Sequence, residues 1–325
     1  MSNIDWASIR EEAIKDFSLD ILPPTLALPA LPHAVTLFMQ KANEPDATLE
    51  ELAKIIETDS GLTLELLKYV NSAFVGMRNK VTNIQQTLSL LGQRKAKSYI
   101  VTTGMQASVR AKKSKLINQN QFWSSSLQKG FFARELAKLM HVDEEVAFSG
   151  ALLQDFLLPV LTNDLFEQYL QFIDRRKSHQ ECISSYEKQE LGWDHAMAGA
   201  SLAHRWHLPD ELVCCILFHH HGLRILAHPQ LKHSPVAPIA ISALLPDQLR
   251  QQYHGLHQLR KLEAKWPVFN LEELAAKVDE LHENEGLGLK NDFPLLQRCQ
   301  HALKDESLYN DGSVAAKALQ ADAVG

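Results

Sequence analysis

The stretch FSGALLQDFLLPVL, residues 148–161, constrains the fold of this chain more than any other. It is strongly apolar and carries one acid, Asp155, near its centre. An unpaired carboxylate in such surroundings is costly, so Asp155 has to be paired, metal-bound, neutralised or turned to water. Which of these holds decides whether the chain is an enzyme or a relative of one that has lost its chemistry.

Helical signals dominate the remainder. In TLEELAKIIE, Thr48 and Glu51 stand at capping-box spacing, and Leu49, Leu52, Ala53, Ile55 and Ile56 recur with helical period. DSGLTLELLKYVN has Asp59 as an N-cap and Leu62, Leu66, Leu67 and Val70 as its apolar stripe. NIQQTLSLLG stops at Gly92, a helix C′ residue. Further helices are expected over 94–109, 122–140, 143–158, 162–175, 179–190, 194–207, 210–220 and 270–286. Asn270 caps the last of these, and Leu271, Leu274, Val278 and Leu281 form a stripe suited to core packing. No segment alternates with period two, and the β-branched cluster SYIVTTG is too short to establish a sheet. The fold class is therefore all-α. LPPTLALPALP (22–32) is an extended lead-in, because proline disfavours helix in the residue before it. The terminal GSVAAKALQADAVG is expected to fray.

The length, 325 residues, suits about two domains. No apolar run reaches the roughly 18–20 residues that span a bilayer. MSNIDWASIREEAIKDF has no apolar signal core. A cytoplasmic protein without membrane insertion is expected. Cys182, Cys214, Cys215 and Cys299 include no CxxC pair, so reduced, buried cysteines are expected rather than a zinc knuckle or disulfide framework.

The net charge of −6 hides an asymmetry. Between Glu65 and Glu135 there is no acid, yet twelve Lys or Arg: Lys68, Arg78, Lys80, Arg94, Lys95, Lys97, Arg110, Lys112, Lys113, Lys115, Lys129 and Arg134. The segment 66–134 either meets a nucleotide or nucleic acid or is answered by acids that folding brings beside it. Its aromatics, Tyr69, Phe74, Tyr99, Phe122, Trp123, Phe131 and Phe132, stand mostly apart from the charge clusters and suggest no stacking platform.

Three features could carry chemistry. In HLPDELVCCILFHHHG, His219, His220 and His221 close a helix whose dipole favours cationic imidazoles there; the other reading is metal binding, by one or two of them, since consecutive residues cannot share one helix face. In WDHAMAGASLAHRW, Asp194 caps a helix, His195 opens it, and Ala196, Gly199, Ala200 and Ala203 form a small-residue face. Asp155 with histidines from two later helices would make an oxygen–nitrogen metal site. There is no GxGxxG, GxxxxGK[ST] or GxSxG motif, and Ser124, Ser125 and Ser126 have no base argued beside them.

The chain resembles the HDOD family, the bacterial HD-related output domain, over roughly residues 22–240. The resemblance is carried in order by LPALPHAVTLFMQKANEPDATLEELAKIIETDSGLTLELLKYVNSAFVG, NIQQTLSLLGQRKAK, FWSSSL, FSGALLQD, WDHAMAGASLAHRWHLP and FHHH. It implies a helical fold related to HD-type metal-dependent phosphohydrolases, in which histidine and aspartate ligands hold ions that activate water. It also implies two helical lobes, 22–115 and an HD-like 116–240, after an N-terminal segment 1–21 and before a C-terminal helical extension, 241–325. Carried across, the first-helix histidine position falls on Ser125 and the histidine of the His–Asp pair on Gln154. Asp155 is kept, and the later histidines correspond to His195 and to His219 or His220. Ser and Gln are poor substitutes for imidazole on a transition metal.

The expectation is a signal-transduction output module without catalytic residues, acting through other signalling proteins. No metal is expected to bind tightly, and any weak divalent ion (Fe, Mn, Zn or Mg) would use Asp155, His195, His219 or His220. Asp155 would then be an ion-paired remnant, partnered by His195 or one of the triple. The rival readings are a metal-dependent phosphohydrolase, a phosphodiesterase or nucleotidase, with a reduced site, and a nucleotide or nucleic-acid binder using 66–134.

Overall fold

A computed structural model describes residues 4–15, 17–42, 44–73, 80–110, 113–285 and 289–307. The terminal segment from Gly312 onward, expected to fray, and Phe74 of the NSAF stretch lie outside these residues. Among the described residues there are sixteen α-helices, three 3-10 segments and no strand.

The first helix, α1 (Trp6–Ile14), is capped by Asp5, whose carboxylate accepts from the Ser8 N–H at 3.0 Å. The prolines hold the next stretch extended until α2 (His33–Lys41) starts after Pro32. In α3 (Leu49–Glu57) the Thr48–Glu51 capping box forms in both directions. Asp59 caps α4 (Ser60–Ala73), accepting from the Leu62 N–H at 3.0 Å. The Asn71 side chain then ties α4 to the chain entering the next helix, bonding both N–H and C=O of Val81. Helix α5 (Ile84–Arg110) is two helices in direct succession: at Gly92 φ is 75° and ψ 155°, a conformation open to glycine, and the axis breaks there.

The next part of the chain begins with α6 (Gln119–Met140), capped by Asn118 and buried on nearly every side. It pairs with α7 (Glu144–Leu153), capped by Asp143. Next come α8 (Leu158–Asp164), α9 (Phe166–Arg175) and α10 (Ile183–Leu191). They are followed by α11 (His195–Arg205), α12 (Asp210–Phe218) and a 3-10 segment, His219–Ala227. The helix expected to run to residue 158 stops at Leu153, because Pro159 would clash with the Asp155 carbonyl if the helix continued. Asp155 therefore sits in a turn, not on a helix face. The whole stretch Glu144–Asp164 is long and apolar enough to cross a membrane by composition, contrary to the sequence expectation, but 83% of its apolar window is buried inside the protein.

Four helices complete the chain: α13 (Val236–Ser242), α14 (Gly255–Lys265), α15 (Leu271–Glu285) and α16 (Leu295–Ser307). Asn270 caps α15 as expected, accepting from the N–H groups of Glu272 and Glu273. One core joins α2–α5 to α7–α13. A second lies on the other side of α6, where Leu127, Phe131, Phe132 and Leu136 meet Leu256, Leu259, Phe269, Leu274 and Val278. No disulfide joins the cysteines; Cys214, Cys215 and Cys299 are buried, while Cys182 is partly exposed.

Candidate metal centre and its internal cation

Four of the residues singled out in the sequence converge. Ligand-capable atoms of Asp155, His195, His219 and His220 lie within 4.8 Å of one another. Each imidazole is aimed by the chain around it. The Asp194 cap, accepting from Met197 N–H at 2.8 Å, fixes the start of α11 and so the place of His195. The His195 Nδ1–H donates to Glu187 of α10 (2.7 and 2.9 Å), and its backbone N–H donates to the same carboxylate at 3.0 Å. Tyr169 in turn donates its O–H to Glu187 at 2.5 Å. The His219 Nδ1–H donates to the Ile216 carbonyl at 2.6 Å, which turns Nε2 inward. His220 places its Nε2 2.9 Å from His195 Nε2. His221 points elsewhere, packing on Phe218. Two of the three consecutive histidines thus share the centre, within the one or two that helix geometry allows and one more than the resemblance assigned.

The two oxygens of Asp155 face different chemistry. Oδ1 lies 3.3 Å from Nε2 of both His195 and His219. Oδ2 accepts from the Lys129 ammonium at 2.8 Å and more weakly from the Gln154 amide at 3.4 Å. The same ammonium donates to Asp247 at 2.9 Å. Asp155 and Lys129 are each only 3% exposed. The ion pair expected for Asp155 exists, but its main partner is Lys129 rather than a histidine.

The electrostatics follow from this packing. Burial alone would raise the Asp155 pKa; the Lys129 charge and the bonds to His195 and His219 outweigh it and hold the carboxyl well below its usual range. Burial likewise opposes the Lys129 charge, but Asp155 and Asp247 push its pKa up. At His195 burial opposes protonation, and Glu187 and Asp155 overcome it, raising the pKa to about 10. His220 is driven well below its usual value by burial and by its neighbours His219 and His195.

These atoms give a divided answer about a metal. On the Oδ1 side the donor set fits one divalent ion. His219 Nε2 is buried and reaches Asp155 Oδ1 only at 3.3 Å, and each of the other two imidazoles is oriented by an outer hydrogen bond, as metal-ligating imidazoles usually are. On the Oδ2 side it does not fit. There the carboxylate meets hydrogen-bond donors, Lys129 and Gln154, which repel a cation.

A ring of residues from beyond position 240 closes the Oδ2 side. The inward positions of α6 are each answered in turn: Ser124 by His282 (3.0 Å), Ser125 by Arg298 (3.2 Å), Gln128 by Arg298 and Asn291, and Lys129 by Asp247. What remains beside Asp155 is a cavity of about 10 Å³, bordered by Ser125, Lys129, Asp247 and Gln251. That is room for about one water. A roomier cleft of about 440 Å³ lies elsewhere, lined by Met39, Lys97, Val101, Glu145 and Leu212 among others.

Sequence reasoning missed Lys129, Glu187, Asp247 and Arg298 as members of this centre. Lys129 had one available signal, a charge in the apolar run LQKGFF one helical turn after Ser125. Asp247 and Arg298 had none, since only the tertiary fold brings them to α6. Three members of the basic segment are met from outside it: Lys95 reaches Glu145 (3.6 Å), Arg134 reaches Glu285 (3.2 Å), and Lys129 is internal, against Asp155 and Asp247. Its described aromatics are packed as well. Phe122, Trp123, Phe131 and Phe132 are buried, and Tyr69 and Tyr99 stack on each other at 4.2 Å.

An aspartate and three imidazoles brought together from separate parts of the chain define an all-helical domain with a candidate metal centre. Within that class, the HDOD domain model matches residues 28–222, and the chain belongs to this family. In its fold the chain is similar to an HDOD domain protein with unknown function from Geobacter sulfurreducens (TM-score 0.58, 21% identity, covering 93% of this chain and 96% of that one). It is also similar to a "Putative phosphohydrolase" from Shewanella amazonensis SB2B (TM-score 0.57, 20% identity, covering 87% and 95%). An uncharacterized protein of Treponema pallidum is 27% identical over 213 residues, 64% of this chain but 40% of that relative, so the chain spans well under half of it.

Proposed function

We propose that the protein is a non-catalytic signal-transduction output module that acts by binding other signalling proteins. The observation that carries this reading is the narrow space at Asp155. A phosphate ester needs an open approach to an ion beside an attacking water, and about 10 Å³ has room for about one water and none for an ester. An ion on the Oδ1 side would be held by Asp155, His195, His219 and His220, and when bound it would supply charge to the cluster. With zinc, these four protein ligands would make the closed arrangement of a structural site. The family's place in signalling supports a protein partner, and the buried aromatics of 66–134 argue against a nucleic-acid platform.

The test is hydrolysis. Purified protein supplied with Mn²⁺, Fe²⁺ or Mg²⁺ is expected to cleave bis(p-nitrophenyl) phosphate and nucleotides at the background rate. Turnover that disappears in Asp155→Ala would establish the phosphohydrolase reading instead.

A further inference from the structure

The Oδ2 side of Asp155 contains an arrangement that the relation to metal-dependent enzymes does not supply. Two buried carboxylates, Asp155 and Asp247, face one ammonium at 2.8 and 2.9 Å. Lys129 stands one helical turn after Ser125, so its side chain runs into the space beside that position, and both residues border the same small cavity. Gln154, the second position where the resemblance places a histidine, adds its amide N–H to the same oxygen of Asp155. Asp247 is held for the purpose: Gln251 donates to it through its side-chain amide at 2.9 Å and its backbone N–H at 3.3 Å. Asp247 lies outside the matched family segment, in the region that packs α13–α16 onto α6.

We propose that Lys129 is a built-in cation standing where a metal ion would otherwise neutralise Asp155 and Asp247, and that removing its ammonium creates a divalent-cation site between them. The two kinds of cation differ in consequence. An ammonium on a side chain cannot dissociate, is beyond the reach of chelators, and offers no coordination position to a water or a phosphate oxygen. It supplies one positive charge and hydrogen bonds where a divalent ion would supply two charges, and it brings no Lewis acidity. Two buried carboxylates left without it would repel each other and recruit a proton or a metal ion.

This inference rests on the non-hydrolytic reading, but it is read out in binding and stability, so hydrolysis in the assay above could defeat that reading while leaving this one intact. The experiment compares melting temperature and bound manganese for the wild-type chain, Lys129→Met and Lys129→Met/Asp247→Asn, each with Mn²⁺ or with a chelator. Lys129→Met is expected to melt lower than wild type in chelator. Mn²⁺ should restore more than half of the loss, with one more equivalent bound than in wild type. The double variant keeps Asp155 and all three imidazoles but has only one carboxylate of the pair, so it should lose that extra equivalent and the extra shift. A Lys129→Met chain that responds to Mn²⁺ no more than wild type overturns the proposal. So does an extra equivalent that survives in the double variant, because it would then belong to the imidazole side. If Lys129→Met yields no folded protein, Asp247→Asn alone decides. It keeps the ammonium and should melt below wild type, and an unchanged melting temperature would show that Asp247 takes no share of the charge.

Discussion

Gly150 shows how tightly single residues are fitted around the centre. It lies on α7 four residues before Gln154, and a β-carbon there would stand 2.5 Å from Ile239 Cδ1 and 2.8 Å from Cys215 Cβ. Ile239 Cδ1 is a side-chain terminus that can turn aside, but Cys215 Cβ is fixed to the buried backbone of α12 and cannot. Gly150→Ala should therefore cost about 1–3 kcal/mol of stability by overpacking, measured by urea unfolding, although alanine is the better helix former. A neutral or stabilising result would mean that α7 can move away from α12. At this scale the sequence was legible where a residue's role is local. Asp59, Asp194 and Asn270 all cap the helices expected of them. It was illegible where the partner is distant: nothing near position 129 announces Asp247, because a salt bridge across more than a hundred residues leaves no periodic trace.

Elements were readable to the extent that their ends are written in caps and breakers. Helix α3 is the clearest case, with apolar residues at helical spacing behind a complete capping box. Thr48→Ala should cost about 1 kcal/mol. The box also has a pH signature. The Glu51 carboxylate accepts the Thr48 N–H, pairs with Lys41 and accepts the Thr48 hydroxyl, which together lower its pKa from 4.5 to about 2. A depressed acid stabilises the fold above its unfolded pKa and loses that contribution as pH falls through the folded one, so this support should fade between about pH 4.5 and 2. An NMR titration of Glu51 with its midpoint near 4.5 would show that the box is not formed in solution. Where the expectation failed, at the turn holding Asp155, the breaker was present as Pro159 but the strength of the apolar run on both sides outweighed it. His219–Ala227 is a similar case: the histidines continue past the end of α12 in 3-10 geometry, which a 3.6-residue period does not describe.

For the molecule as a whole, the matched family segment ends at residue 222, yet α6 is covered by helices that lie beyond that point in the chain. A chain ending at residue 240 would expose Leu127, Phe131, Phe132 and Leu136 and strip Asp247 from Lys129. Such a truncation should aggregate or lose cooperative unfolding, judged by circular dichroism during urea titration. A monomeric fragment with a sharp transition would show instead that residues 241–325 are a separable extension, the boundary expected from sequence. The all-helical class was legible in the chain, but the second core was not, since α14–α16 show amphipathic stripes without showing what they pack on.

The serial answering of Ser124, Ser125, Gln128 and Lys129 by residues from the distal helices has an evolutionary corollary. A back-mutation of Ser125 to histidine would thrust an imidazole at the Arg298 guanidinium, and one of Gln154 would still find an ammonium lodged against Asp155. On the non-hydrolytic reading proposed above, a histidine at either position meets a charge already in place, so a hydrolytic ion would call for concerted changes on α6 and in the distal helices.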